Sequence, residues 1–196
     1  ETLSTTKEIQ GKVVSSLTST ISSVTNGIIS MEKIKVGDTV KKNQLIATQD
    51  STNIKYNLRI KKNQLSNAKI SLEDLVNELK NEKNIKIIIQ KQSDIIKSKY
   101  ERMQELYETN AISVQELETA TSSYLSSQQQ VLSKEQFLNK ISFRIKQAEN
   151  TIDRLNVEIK KLEKDISDTK LKSPIDGQIV DLSSIKTGYV RVGERL

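Results

Sequence analysis

Apolar residues follow two different spacings along this chain, one typical of β-strands and one typical of coiled-coil helices. Up to residue 50, short β-branched runs stand beside turn signals, as in Asn26-Gly27-Ile28-Ile29 and Val36-Gly37-Asp38-Thr39-Val40. A strand-favouring stretch from Ile9 to Val14 precedes them. Beyond Thr169 the same kind of sequence returns, which predicts short strands at both ends of the chain.

The middle of the chain predicts long helices. No glycine or proline occurs from Asp38 to Ser173, so nothing in this stretch supplies a tight turn or ends a helix. Asp50 or Ser51 suits a helix N-cap. Apolar residues then recur every seven positions, in two rows separated by a ten-residue step that we interpret as a phase slip near Asn84. The rows are Leu58, Leu65, Leu72 and Leu79, then Ile89, Ile96 and Met103.

A second helix follows with a more regular pattern. Its seven-residue row has no exception, and Ile141, Ala148, Leu155 and Leu162 fill the partner positions of the later heptads. Ser113 with Glu116 fits a capping box that begins this helix, and Asn110 suits the end of the first. The chain therefore reverses at about 109–113, and two antiparallel helices can bury each other's apolar rows. The row consists of Leu117, Tyr124, Val131, Leu138, Ile145, Ile152, Ile159 and Ile166.

Composition excludes several kinds of chemistry. The 196 residues include neither cysteine nor histidine, which removes thiolate ligands and the commonest general base. We expect no catalytic residue, no metal site and no enzymatic activity. The net charge of +6 is spread over mixed helix faces, and only 4% of residues are aromatic, so we expect no nucleic-acid partner. No apolar run is long enough to span a bilayer.

The two β-rich segments resemble each other. Asn26-Gly27-Ile28-Ile29 parallels Asp176-Gly177-Gln178-Ile179-Val180, and Val36-Gly37-Asp38-Thr39-Val40 parallels Thr187-Gly188-Tyr189-Val190. Such a repeat resembles the two halves of a lipoyl/biotinyl-type β-sandwich. Separated by a helical hairpin, they resemble the HlyD-type membrane fusion proteins, the periplasmic adaptors of tripartite secretion and efflux systems.

The resemblance implies an α+β fold in which a long antiparallel coiled-coil hairpin is inserted between the two halves of a lipoyl-like sandwich. Residues 1–50 would hold an N-terminal strand and the first half, 51–170 the hairpin, and 171–196 the second half. In lipoyl and biotinyl carriers an acylated lysine lies at an exposed turn between the halves. The hairpin takes that connection here, and Lys41 and Lys42 lie where a strand begins. We therefore expect no cofactor.

The predicted bend carries a second resemblance. Arg102, Leu106 and Ser113 have the R-x3-L-x6-S spacing of the tip by which such adaptors bind a TolC-like outer-membrane channel. The resemblance implies that these three residues bind the channel. Each has a simpler interpretation, because Arg102 could be a solvated helix residue, Leu106 a seam residue and Ser113 only an N-cap.

The family's partners and location follow as expectations. They are a TolC-like channel, an inner-membrane transporter with ABC-type secretion favoured, and self-association as a hexamer in the full assembly. We expect a periplasmic protein anchored to the inner membrane of a Gram-negative bacterium, with the anchor outside this segment. A macrolide-type ABC or major-facilitator efflux adaptor is the alternative. From other classes, a structural coiled-coil protein or a lipoyl/biotinyl carrier domain stays open.

Overall fold

A computed structural model of the chain describes residues 17–23, 25–182 and 188–193. The strand-favouring stretch from Ile9 to Val14 lies outside these residues. Within them the chain forms six strands and two helices, and their order confirms an α+β fold with a helical hairpin between two β-rich segments. The elements are β1 (Gly27–Met31), β2 (Thr39–Val40), β3 (Leu45–Gln49), α1 (Thr52–Glu108), α2 (Val114–Asp168), β4 (Lys170–Lys172), β5 (Gly177–Gln178) and β6 (Tyr189–Val190).

The chain divides into two compact units. The β-unit comprises the described residues up to Asn57 and from Leu162 onward, and the hairpin unit runs from Leu58 to Lys161. The division falls within both helices, so the first turns of α1 and the last turns of α2 belong to the β-unit.

The strands of the β-unit combine both ends of the chain. A four-stranded sheet has the order β4-β3-β1-β6, and a two-stranded sheet pairs β2 with β5. All pairings are antiparallel. Three of the four join a strand that precedes the hairpin to one that follows it, as in Gly27 opposite Val190. Neither end of the chain can therefore complete this unit alone.

The internal repeat extends to individual hydrogen bonds. The Ser23 hydroxyl donates to the Thr25 carbonyl, and the Ser173 hydroxyl donates to the Ile175 carbonyl. Two residues after each of those carbonyls comes a glycine, Gly27 or Gly177, that begins a strand. The side chains between them also match. The Asn26 amide oxygen accepts from the Val192 N–H, and the Asp176 carboxylate accepts from the Lys42 N–H. Each half therefore repeats the same local hydrogen bond, and each accepts a backbone N–H from the other half through a side-chain oxygen.

A small apolar core lies on the four-stranded sheet. Ile29, Ala47, Leu171 and Val190 are buried together, each from a different strand, and Ile21 and Leu182 pack against them. β-Branched and aliphatic side chains on one face of a sheet bury apolar area on the strand period of two. The cluster therefore joins residues from both ends of the sequence.

In the hairpin unit the inward side of α1 is one continuous heptad pattern. From Leu58 to Met103 the buried and half-buried positions include an unbroken series with alternating steps of three and four residues. Glu82, Lys86 and Ser93 occupy three of its positions, between Leu79 and Ile96. The predicted phase slip near Asn84 is therefore wrong. The apolar row follows one seam position of the heptad up to Leu79 and the other from Ile89 onward, because the polar Lys86 and Ser93 continue the first row.

The two helices of this unit run antiparallel. Lys61 pairs with Glu158, Glu78 with Arg144, and Ser93 with Ser127, so residue numbers fall along α2 as they rise along α1. On α2 the seam series is also unbroken, and Leu138, Ile141, Leu155 and Ile159 are its most buried apolar members. Burial of these two rows against each other stabilises helices that contain few aromatic residues.

Candidate binding site at the hairpin bend

α1 ends in a Schellman motif. Asn110 has a left-handed backbone, with φ 57°. Its N–H donates to the Tyr107 carbonyl at 2.9 Å, and the Ala111 N–H donates to the Leu106 carbonyl at 2.8 Å. Asparagine tolerates the left-handed region better than most residues, which explains its use where glycine is more common. The motif satisfies two carbonyl groups that would otherwise lack partners, and it reverses the chain within a few residues.

α2 begins with the capping box that the sequence predicts. The Ser113 N–H and hydroxyl donate to the Glu116 carboxylate at 2.8 and 2.9 Å, and the Glu116 N–H donates back to the Ser113 hydroxyl at 3.3 Å. Donation from the Ser113 N–H, followed by that from its hydroxyl, lowers the pKa of Glu116 below its ordinary value. Ser113 is thus an N-cap, and its hydroxyl is held by bonds within the bend.

Arg102 and Leu106 lie on the outer surface of α1, one turn apart on the same side. Leu106 exposes 42% of its surface and stands outside the seam series, whose last members here are Tyr100 and Met103. The interpretation of Leu106 as a seam residue is therefore wrong. The Arg102 Nε donates to the Ser98 carbonyl at 3.4 Å, which aligns this solvated side chain along the helix.

Two further apolar residues are exposed near the bend. Tyr107 exposes 38% and Val114 exposes 52% of its surface. With Leu106 they leave three apolar side chains exposed near the bend, which a partner could cover, and the exposed Arg102 guanidinium can donate to carbonyl or carboxylate oxygens. The R-x3-L-x6-S spacing does not include Tyr107 or Val114. Their position at the end of α1 and the start of α2 is the feature of the sequence that could have indicated their exposure.

The described residues offer little else for chemistry. They contain no group of three or more acidic side chains placed to hold a metal ion. Every buried side-chain nitrogen or oxygen among them has a hydrogen-bond partner. Of the helices in the part that the structure describes, none combines the length and apolar character needed to cross a membrane.

Comparisons with known proteins give structural likenesses only. No protein-family model and no curated protein sequence matches the chain. Among solved structures, the soluble domain of LipC, a membrane fusion protein of a type I secretion system, is similar with a TM-score of 0.51 and 14% identity. The match covers 91% of this chain and 97% of that one. This likeness indicates a shared fold.

Two other solved structures are weaker matches. MacA from Actinobacillus actinomycetemcomitans has a TM-score of 0.49 and 23% identity, over 92% of this chain and 45% of that one. The periplasmic adaptor protein EmrA has a TM-score of 0.41 and 19% identity, over 90% of this chain and 69% of that one. This chain therefore spans less than half the length of that MacA structure.

Proposed function

We propose that this chain is the hairpin and part of the β-domain of a periplasmic adaptor of the membrane fusion type, without catalytic activity. The adaptor would link an inner-membrane transporter to a TolC-like outer-membrane channel, in a Gram-negative periplasm and with an inner-membrane anchor. The observation that carries the proposal is at the bend. Arg102 and Leu106 are exposed one turn apart on the outer side of α1, within its last two turns, and neither is a seam residue.

The three bend residues take different roles in this proposal. Leu106 supplies apolar area to the partner, and Arg102 supplies donors for its carbonyl or carboxylate oxygens. Ser113 acts through backbone geometry, because its bonds with Glu116 fix the direction in which α2 begins. We therefore assign channel contact to Arg102 and Leu106, and positioning to Ser113.

For the transporter we propose an ABC-type secretion system. The support is the fold likeness to the soluble domain of LipC, a membrane fusion protein of a type I secretion system. The match covers 97% of that domain. Copies of the adaptor would associate, as a hexamer in the full assembly. The β-unit would act as a lipoyl-like scaffold without lipoate. Lys41 and Lys42 lie between β2 and β3 and not where a strand begins, because Lys42 is in a turn, and the Lys42 backbone N–H donates to the Asp176 carboxylate.

Site-specific crosslinking in cells tests the channel contact. A photoreactive amino acid replaces Leu106 in the full-length protein, and a control protein carries it at Val157, an apolar residue of α2 that is 67% exposed and far along the helix from the bend. We expect an adduct with an outer-membrane channel from position 106 only. Equal adducts from both positions, or none from 106, would contradict the proposal.

Charge reversal tests the same contact by function. Arg102→Asp combined with Leu106→Asp should abolish export while the chain keeps its helicity, because both side chains lie outside the seam. The matched control is Arg59→Asp combined with Val157→Asp, which places the same charges on exposed positions elsewhere. Export that survives the first pair of changes would rule out docking at the bend. Copurification of an ABC transporter or of a major-facilitator pump with the unchanged protein decides the transporter class.

A further inference from the structure

The seam between the two helices changes in character along the hairpin. In the hairpin unit, which the structure describes throughout, four apolar seam residues are buried, and all of them belong to the later part of α2. Closer to the bend the buried seam residues are both serines, Ser93 and Ser127. The part of the hairpin next to the bend is therefore held by less buried apolar area. The four apolar residues are Leu138, Ile141, Leu155 and Ile159.

Polar residues are concentrated where the change occurs. Between Leu79 and Ile96, three of the four seam positions of α1 are polar, and two seam positions of α2 on the opposite side are polar as well. The two buried serine hydroxyls lie 3.0 Å apart. The other polar side chains form ion pairs between the helices. We call these five residues the polar segment: Glu82, Lys86, Ser93, Ser127 and Lys134.

The helices leave space on both sides of the polar segment. A groove of about 680 Å³ has Ser93 and Leu132 in its lining, and a second groove of about 400 Å³ has Ser133 and Lys134. Leu132 follows the seam residue Val131 by one position, whereas Ser133 precedes the seam residue Lys134 by one. One residue is a rotation of about 100°, so the two grooves lie on opposite sides of the seam. Solvent therefore reaches the seam from both sides at this level.

The helical backbone of α2 is also weakened beside the polar segment. Within residues 119–127, the hydroxyls of Thr119, Thr121, Ser123 and Ser127 donate to backbone carbonyls three or four residues earlier. Such bonds compete with those of the helix itself and often bend it. Serine and threonine also have lower helix propensity than the alanine, leucine, lysine and glutamate typical of stable helices.

Alignment of the two helices does not depend on the polar segment. Polar seam residues commonly fix the register of a coiled coil. Here five residues join α1 to α2, and the Schellman motif and the capping box hold both helix ends. A slip by one heptad would break both motifs. The bend therefore already fixes the register, and the effect that distinguishes the polar segment is its low local stability.

We propose that the polar segment is a hinge within the hairpin. Opening at this level exposes little apolar area, so it costs less free energy than opening between Leu58 and Leu79. On the other side of the segment the contact resumes, because the rings of Tyr100 and Tyr124 stack with centroids 5.1 Å apart. The part next to the bend thus stays paired while it tilts. The inference concerns the hairpin itself and does not depend on what the bend binds.

Distances between spin labels test the bending, and the absence of native cysteine permits specific labelling. In the full-length protein, cysteines replace either Asn63 and Asn81 or Asn81 and Lys99, all exposed on α1. Each pair spans 18 residues of helix, about 27 Å, and the second pair spans the α1 part of the polar segment. We expect a distance distribution at least about twice as broad for the second pair as for the first. Equal widths would overturn the proposal.

Filling the serine layer should remove the hinge. Leu72 and Ala148 lie three heptads from Ser93 and Ser127, at the same seam positions, and both are partly covered. Ser93→Leu combined with Ser127→Ala copies that layer into the polar segment. The Asn81–Lys99 distribution should then narrow to the width of the Asn63–Asn81 distribution.

The matched control makes the same two changes at exposed positions, Ser98→Leu combined with Ser126→Ala. It should leave the Asn81–Lys99 distribution broad. A distribution that stays broad after filling, or that narrows equally in the control, would overturn the proposal.

Hydrogen exchange in the full-length protein separates a hinge from fraying at the bend. A hinge predicts that the backbone amides of residues 86–93 exchange at least about tenfold faster than those of both 68–75 and 96–103. Exchange rates that rise steadily toward the bend would instead show fraying and reject the hinge. Channel binding is tested separately by the adducts from position 106, so the failure of one proposal leaves the other standing.

Discussion

Asn43 and Gly193 hold equivalent backbone positions in the two halves of the β-unit, both left-handed, with φ values of 66° and 81°. The Asn43 N–H donates to the carbonyl of the buried Ser173, and the Gly193 N–H donates to that of the buried Ser23. The two positions are therefore held by the same bond, although one carries a side chain and the other does not. Asparagine accepts this conformation at modest cost, and a β-branched residue does not.

This equivalence makes Asn43 replaceable by glycine. We expect Asn43→Gly to change the free energy of unfolding of the β-unit by less than about 0.5 kcal/mol, and Asn43→Val to lower it by about 1–2 kcal/mol. Hydrogen exchange of the β3 backbone amides under denaturant measures both. If valine is tolerated as well as glycine, the left-handed backbone at residue 43 is not a constraint.

The seam ion pair between Glu82 and Lys134 is a second test. Both side chains are mostly covered, at 16% exposure for Lys134 and 22% for Glu82. Glu82→Leu alone should lower the free energy of unfolding by about 1–3 kcal/mol, because Lys134 then keeps its charge in the seam without a carboxylate, beside only the Phe137 ring. Adding Lys134→Leu should restore most of the loss or exceed the original stability, since two leucines pack as an apolar layer.

The exposed pair Lys97–Glu101 is the control for that double-mutant cycle. Its side chains are 54% and 53% exposed, so neutralising either should cost less than about 0.5 kcal/mol. Urea unfolding followed by helicity provides all the values. A double Leu variant that stays as unstable as the single one would show that Glu82 and Lys134 act for packing reasons other than their charges.

The deepest seam position gives a stability prediction. Ile141 is 1% exposed, and its neighbour Phe143 on the outer face is 63% exposed. We expect Ile141→Ala to lower the free energy of unfolding by about 2–5 kcal/mol through lost burial and a residual cavity. Phe143→Ala should change it by less than about 0.5 kcal/mol. Comparable losses from the two changes would mean that the outer face is covered in solution.

The capping box at the bend should be sensitive to acid. The pKa of Glu116 is lowered in the folded chain by donation from Ser113, so its stabilising effect is fully present above the ordinary glutamate pKa. The effect is lost as the pH falls through the lowered pKa of the folded state. NMR titration of the Ser113 amide should show this step, and Glu116→Gln should remove it. A Ser113 amide that does not respond between pH 5 and about pH 2 would contradict the bond.

Residue patterns predicted the ends of elements better than the interior of the seam. Ser113 and Glu116 form the expected capping box because its bonds are local and depend on four consecutive residues. The apolar pattern predicts a phase slip near residue 84 that the structure lacks, because Glu82 and Lys86 are polar seam residues and a count of apolar positions omits them. Their places follow from partners on the other helix, and those partners are distant in sequence.

The same distinction applies to the bend and the β-unit. The spacing of Arg102 and Leu106 indicated candidates, but their exposure depends on which positions of α1 face α2. In the β-unit, glycine positions indicated a repeat. Asn26 accepts a hydrogen bond from the second half, and Asp176 accepts one from the first half. These bonds join residues that are far apart in sequence, so neither segment predicts them alone.

Pairing of β1 with β6 also bears on the order of folding. Most of the chain lies between Gly27 and Val190, whereas α1 and α2 meet through a bend of a few residues. Closing a long loop costs more conformational entropy than closing a short one, and contacts distant in sequence form slowly. β3 ends just before α1, and β4 begins just after α2. Pairing of the two helices therefore brings β3 and β4 together and shortens the loop that remains to be closed. Formation of the hairpin before the β-unit therefore gives the faster route to the native state.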